Sequence, residues 1–214
     1  MTRLGDAHVL ITGGSSGIGL ALAEACAGRG SRVAIVARDR ERLTAASRRV
    51  EAVAPTARIV AESADVTDAS ALREAIDRCV AELGPVDVLV TSAGAAHPGR
   101  FVDLDDAVFR DQMEVDYFGT LHAVRAVVPA MMERRRGHLV LIASTVAFVG
   151  IYGYSAYAPA KHAVRGLAET LRPELKPHGI TVACAYPPDT ETPENGIDSG
   201  ESCPLRSMTN GRPP

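Results

Sequence analysis

A chain of 214 residues, 46% of them hydrophobic and with a formal net charge of −3, suits one globular domain with a sizeable core. The slightly acidic balance gives no electrostatic ground for a nucleic-acid partner. Cys26, Cys79, Cys184 and Cys203 stand far apart, and the six histidines show no ligand spacing. These patterns argue against a metal site or a disulfide framework and for a reducing compartment. No apolar run reaches the ~18 residues of a spanning helix. A strand pattern opens within the first ten residues, so the expected location is cytoplasmic.

Short apolar runs alternate with helical patterns. The strands predicted are 8–12, 32–37, 58–62, 86–92, 138–144 and 180–186; amphipathic stretches lie near 17–29, 39–54, 68–83, 104–135 and 156–177. Several strands are apolar throughout, as expected when helices cover both faces of a parallel sheet. The alternation predicts an α/β, doubly wound, Rossmann-type sheet of about six strands. Right-handed crossovers then bring all strand C-termini to one edge, where ligands bind in such sheets.

The first strand runs into "ITGGSSGIG" (11–19). Gly13, Gly17 and Gly19 would let backbone approach a pyrophosphate, beside the positive end of the following helix. Ser15 and Ser16 add hydroxyl donors. The second strand ends at Ala37, where an acidic residue would bind a ribose 2′-hydroxyl. Arg38 follows instead, and a cation there favours the 2′-phosphate of NADP. Arg40 and Arg42 lie close by, so a solvated surface charge is the alternative. Asp39 and Asp68 read as helix N-caps. Asp65, after the third strand, is placed for an adenine amino group. "TSAG" (91–94) offers small residues that would pass close to a ribose.

The fifth strand ends in Ser144, and "YAPAK" carries Tyr157 and Lys161 on one helix face. A phenol titrates near ~10 and is a poor acid–base group at neutral pH unless tuned; a neighbouring ammonium favours its phenolate. Ser144 can hold a substrate oxygen. Such a set suits proton transfer to a carbonyl oxygen while hydride arrives at carbon from a nicotinamide. Pro159 is tolerated only in a first turn, so this helix is predicted to begin near Ser155 or Ala156.

Together "TGGSSGIG", Ser144 and "YAPAK" resemble the short-chain dehydrogenase/reductase family over about 1–192. The resemblance implies that Tyr157 is the general acid in reduction, that Lys161 binds the nicotinamide ribose and tunes Tyr157, and that Ser144 polarises the carbonyl. It implies NADP(H) contacts at Gly13, Ser15, Ser16, Gly17, Ile18, Gly19, Arg38, Asp65, Val66, Ala93, Gly94, Tyr157, Lys161, Pro187 and Thr192. A fourth catalytic member, usually an Asn that orders a water in a proton relay, falls at Asp116 in "EVDYFGT". "GLAETLRPELKPHGITVACAYPPDTETP" resembles the 3-ketodihydrosphingosine reductase branch, which implies NADPH-dependent reduction of 3-ketosphinganine. Another ketone or alcohol, or an impaired NADP-binding protein, are the alternatives.

Peripheral membrane contact is compatible with a lipid substrate. "MMERRRGH" (131–138) is basic enough for an anionic surface, although cations at a helix C-terminus explain it more simply. Family analogy implies a homodimer at most. After 192 the composition breaks, and 193–214 reads as a polar, disordered tail. The seventh strand of the family is expected to be missing, through truncation or a frame-shift, or with a partner subunit over the open edge.

Overall fold

In the computed structural model, described for residues 4–188 and 190, the apolar runs become β1 (His8–Thr12), β2 (Arg32–Ala37), β3 (Ile59–Ser63), β4 (Val88–Thr91), β5 (Gly137–Ile142) and β6 (Ile180–Ala185). They form one sheet in the order β3-β2-β1-β4-β5-β6, every pairing parallel. The order reverses between β1 and β4. Connections leave the two strands in opposite directions there and open a crevice at the C-terminal edge.

The helices are α1 (Gly17–Ala27), α2 (Arg40–Val53), α3 (Ala69–Leu83), α4 (Asp106–Met113), α5 (Gly119–Glu133) and α6 (Tyr157–Leu175). Successive strand residues point to opposite faces, so one strand feeds two cores. Leu10, Leu89 and Leu139 pack with Ile76 of α3, Val127 of α5 and Val164 of α6. Val9, Ile11 and Ile35 pack with Leu20 of α1 and Leu43 and Val50 of α2. Every residue of β1 is buried. In β6, Ile180 and Val182 are buried while Thr181 and Ala183 are exposed. Among the described residues, β6 pairs only with β5 and has helices over one face alone.

The expected helix over 104–135 is continuous from Asp106 to Glu133 but contains a π-helical turn. α4 ends at Met113, a π-helical turn occupies Glu114–Phe118, and α5 restarts at Gly119. A Cβ at Gly119 would lie 2.6 Å from Val66 Cγ2, so the missing side chain lets α5 press onto the loop after β3. The wider turn carries Asp116 fully inside. No residue type or cap marks a π-helical turn inside a helix, so the sequence showed only one amphipathic stretch.

Two helices, α2 and α3, start at side-chain caps. Asp39 accepts from the N–H groups of Glu41 and Arg42, and Asp68 from those of Ser70 and Ala71, as expected. Pro159 is the third residue of α6, where a backbone N–H has no intrahelical acceptor to lose. The loops after β4 and β5 are tied together where Gly99 N–H donates to Gly153 O at 2.8 Å. Thr192 and the segment 193–214 lie outside the described residues.

Candidate active site

The crevice is a cavity of about 300 Å³ along the C-terminal edge of the sheet. One end is lined by Gly13, Ser15, Ser16, Ile18, Arg38, Asp65 and Val66, the other by Ser144, Tyr157, Lys161 and Pro187, with Ala93 and Gly94 between them. Sequence separations of up to 174 residues thus collapse into one groove, because each segment follows the C-terminus of a strand. Gly17, Gly19 and Asp116 shape this groove without lining it.

At the first end, Gly13 has φ +71°. A Cβ there would lie 2.5 Å from Ala93 N, so only glycine lets the turn after β1 and the loop after β4 pack backbone to backbone. α1 then begins with no side-chain cap and no acidic residue in its first turn. α2 and α3 differ: each has its leading N–H groups taken by its own aspartate. The α1 terminus therefore offers N–H donors and a positive dipole end toward the cavity, which fits a pyrophosphate.

Arg38 is largely exposed, with Nη1 3.6 Å from Asp65 Oδ2. The other Asp65 oxygen accepts from the N–H (2.9 Å) and hydroxyl (2.8 Å) of Thr67, which fixes the loop. His122 Nδ1 bonds Val66 O at 2.9 Å and pins the same loop to α5.

At the second end, Ser144 lies two residues beyond β5 rather than inside it, and caps a 3-10 turn over Thr145–Ala147. Its Oγ accepts a long bond (3.4 Å) from Val146 N–H, leaving the hydroxyl proton for another acceptor. Lys161 Nζ stands 5.5 Å from the Tyr157 ring centroid. It donates to Ile142 O at 3.3 Å and pairs with Asp116 Oδ1 at 3.1 Å. Lys161 is 5% exposed and Asp116 0%. Burial pushes the Asp116 carboxyl above the usual carboxylate range, against the pull of Lys161 and of the Gln112 amide.

Sequence reasoning missed Gln112. Its Nε2 donates to Asp116 Oδ2 and to Ala95 O (2.6 Å), while its Oε1 accepts from His97 N–H at 3.1 Å. It fastens Asp116 and the loop after β4 to α4. A Gln four residues before the Asp was the only available signal, and such pairs are common on helix surfaces. Tyr154, 5.8 Å ring to ring from Tyr157, also lines the cavity unannounced.

A glycine turn at a helix start and a buried lysine beside a tyrosine thus lie along one groove at the crossover of a parallel sheet. The short chain dehydrogenase family model matches residues 7–199. The chain belongs to the short chain dehydrogenase family. It is 43% identical over 194 residues to the 3-dehydrosphinganine reductase of Danio rerio, covering 89% of this chain and 58% of that one. A 3-ketodihydrosphingosine reductase of Dictyostelium discoideum is 38% identical, with 89% and 62% covered. The chain thus spans about three fifths of the length of these curated relatives. Among solved structures, levodione reductase superposes with a TM-score of 0.87 at 29% identity, covering 90% of this chain and 75% of its own. An actinorhodin polyketide ketoreductase with NADPH gives 0.86 at 31%, covering 97% and 82%.

Proposed function

We propose that this chain is an NADPH-dependent carbonyl reductase that converts 3-ketosphinganine to sphinganine. One observation carries the reading. Ser144, Tyr157 and Lys161 meet at one end of a dinucleotide-shaped groove, in a chain whose named relatives are reductases of that keto base.

In this reading the α1 N-terminus and the turn from Gly13 to Gly19 hold the pyrophosphate, and Arg38 takes the 2′-phosphate. Asp65 meets the adenine amino group. Ala93 and Gly94 flank the adenosine ribose, and Pro187 the nicotinamide. When bound, the dinucleotide supplies a hydride to the carbonyl carbon. Ser144 donates a hydrogen bond to the carbonyl oxygen. Tyr157 gives that oxygen its proton, so a ketone becomes a secondary alcohol, and the phenolate is reprotonated from water. Lys161 holds the nicotinamide ribose and stabilises the phenolate. Asp116 stands where the family's fourth catalytic residue stands and acts through Lys161.

A long alkyl substrate agrees with the mouth of the groove. Phe148, Val149, Ile151 and Tyr152 are exposed on the loop after β5, and Phe101 and Val102 on the loop tied to it at Gly99. Among the described residues no helix is long and apolar enough to cross a membrane. We propose peripheral access to a lipid substrate from a cytoplasmic position. A homodimer through the helical segments 104–135 and 156–177 finds support in a shallow groove lined by Leu121, Val128, Leu167 and Leu171. The charged Asp116 favours a second reading, cofactor binding without turnover.

The test is consumption of NADPH by the purified chain with micellar 3-ketosphinganine, with an acetoacetyl thioester as comparator and NADH as alternative cofactor. Turnover of the keto base, faster with NADPH, is expected. Preference for the thioester would reassign the substrate, and binding without any turnover would establish the second reading.

A further inference from the structure

We infer that Asp116 is the ionised, buried counter-ion of Lys161, and that this pair sets the affinity of the site for oxidised relative to reduced dinucleotide. The inference rests on the cofactor reading above but not on the identity of the ketone.

The hydrogen bonds fix the charge state. Asp116 Oδ1 accepts from Ala95 N–H at 3.3 Å and faces the Lys161 ammonium at 3.1 Å. Oδ2 faces the amide of Gln112. That amide cannot be turned round: its Nε2 must donate to Ala95 O, and its Oε1 must accept from His97 N–H. Every group contacting the carboxyl is therefore a donor. A proton on Asp116 would have no acceptor and would displace one of three hydrogen bonds. The carboxylate form satisfies all three.

The pair lies directly behind the cavity wall. A Cβ on Gly94 would lie 2.6 Å from Asp116 Oδ1 and 3.2 Å from Lys161 Nζ, so the wall at that point is bare glycine backbone. Lys161 faces the groove, and Asp116 faces Lys161 from the far side. A nicotinamide ring is cationic when oxidised and neutral when reduced. A lone ammonium at this end would repel the oxidised ring. With Asp116 ionised, the two charges cancel at the range of the ring, and the oxidised form is not penalised.

The charged groups facing Asp116 reduce to Lys161 on α6. Gln112 on α4 and the backbone of the loop after β4 complete its surroundings. Tyr154 and Tyr157 are the other titratable groups at this end of the groove. Arg38, Asp39, Arg42 and Asp65 stand at the other, where both oxidation states present the same chemistry.

Calorimetric titration of the folded chain with NADP+ and with NADPH tests this without any ketone. Asp116→Asn is expected to raise the ratio of the two dissociation constants, oxidised over reduced, by roughly tenfold at neutral pH. Acidification protonates Asp116 above the usual carboxylate range, so the wild-type ratio climbs toward the variant's, while the variant's stays flat. The asparagine NH2 would face the Gln112 NH2 and weaken the fold; if that variant does not accumulate, the wild-type pH series decides alone. A ratio unchanged by the substitution, equal weakening of both forms, or a wild-type ratio independent of pH would overturn the inference. Binding of neither form would overturn the cofactor reading as well.

Discussion

Two buried aspartates at opposite edges of the sheet are driven in opposite directions. Asp87, ahead of β4, accepts from His8 N–H at 3.0 Å and lies 2.6 Å from Arg136, 3.4 Å from Arg134 and 3.8 Å from Arg32. Burial raises its pKa, but the His8 N–H and the arginines outweigh that and hold the carboxyl below the usual range. Asp116, at the C-terminal edge, has one cation and complete burial, and its pKa rises. Burial alone therefore does not decide which way a carboxylate's pKa moves; the donors and cations around it do. Two of the three arginines around Asp87 also bond backbone carbonyls, Arg32 those of Asp6 and Leu83 and Arg134 that of Val86, so that edge is a clamp on strand starts and helix ends. The single lysine beside Asp116 faces the groove, and that edge borders the proposed active site.

Removing the clamp should show most in stability. Asp87→Ala removes the acceptor of the His8 N–H and of Arg136, and the shared counter-charge of Arg32 and Arg134. Because the arginines reach solvent, the loss expected in denaturant unfolding is about 2–3 kcal/mol. Dinucleotide affinity under native conditions should hardly change. A fall in affinity with stability intact would reverse the roles assigned to the two edges.

A smaller effect comes from His8, fully buried beside Asp87. Its Nδ1 lies 2.6 Å from Gly84 O and so carries the proton, which leaves a buried, unpartnered Nε2 lone pair. Burial, with Arg32 and Arg134 adding to it, lowers its pKa from the ordinary 6.5. The unfolded chain therefore binds the proton first. The His8 contribution is full above the ordinary histidine range and is lost as pH falls through that range toward the lowered folded value. Asp87 has the same sign in the more acid carboxylate window; Asp116 has the opposite sign. Urea midpoints should drop between neutral and mildly acid pH, and His8→Gln should flatten that drop. A midpoint that rises on acidification would mean Asp116 dominates.

The sequence announced the sheet, because continuous apolar runs leave few alternatives to strands covered on both faces. It announced the glycine turn, Ser144, Tyr157 and Lys161, because each follows a strand end that the topology gathers on one edge. It did not announce the π-helical turn at Glu114–Phe118, since no residue type or cap marks such a turn inside a helix. Without that turn the Gln112–Asp116–Lys161 chain could not be foreseen, although Asp116 itself stood out by its residue type. Arg134 and Arg136, in the basic stretch that could have met a membrane, turn out to hold Asp87.

Tyr157 is proposed as the group that protonates a ketone beside a bound dinucleotide. Rapid mixing of the NADPH-loaded chain with 3-ketosphinganine, followed by loss of the reduced-cofactor signal, tests it most directly. The wild type should oxidise its bound NADPH. Tyr157→Phe should bind NADPH with similar affinity and react at least ~100-fold more slowly. A phenylalanine variant that reacts as fast as the wild type would contradict the account.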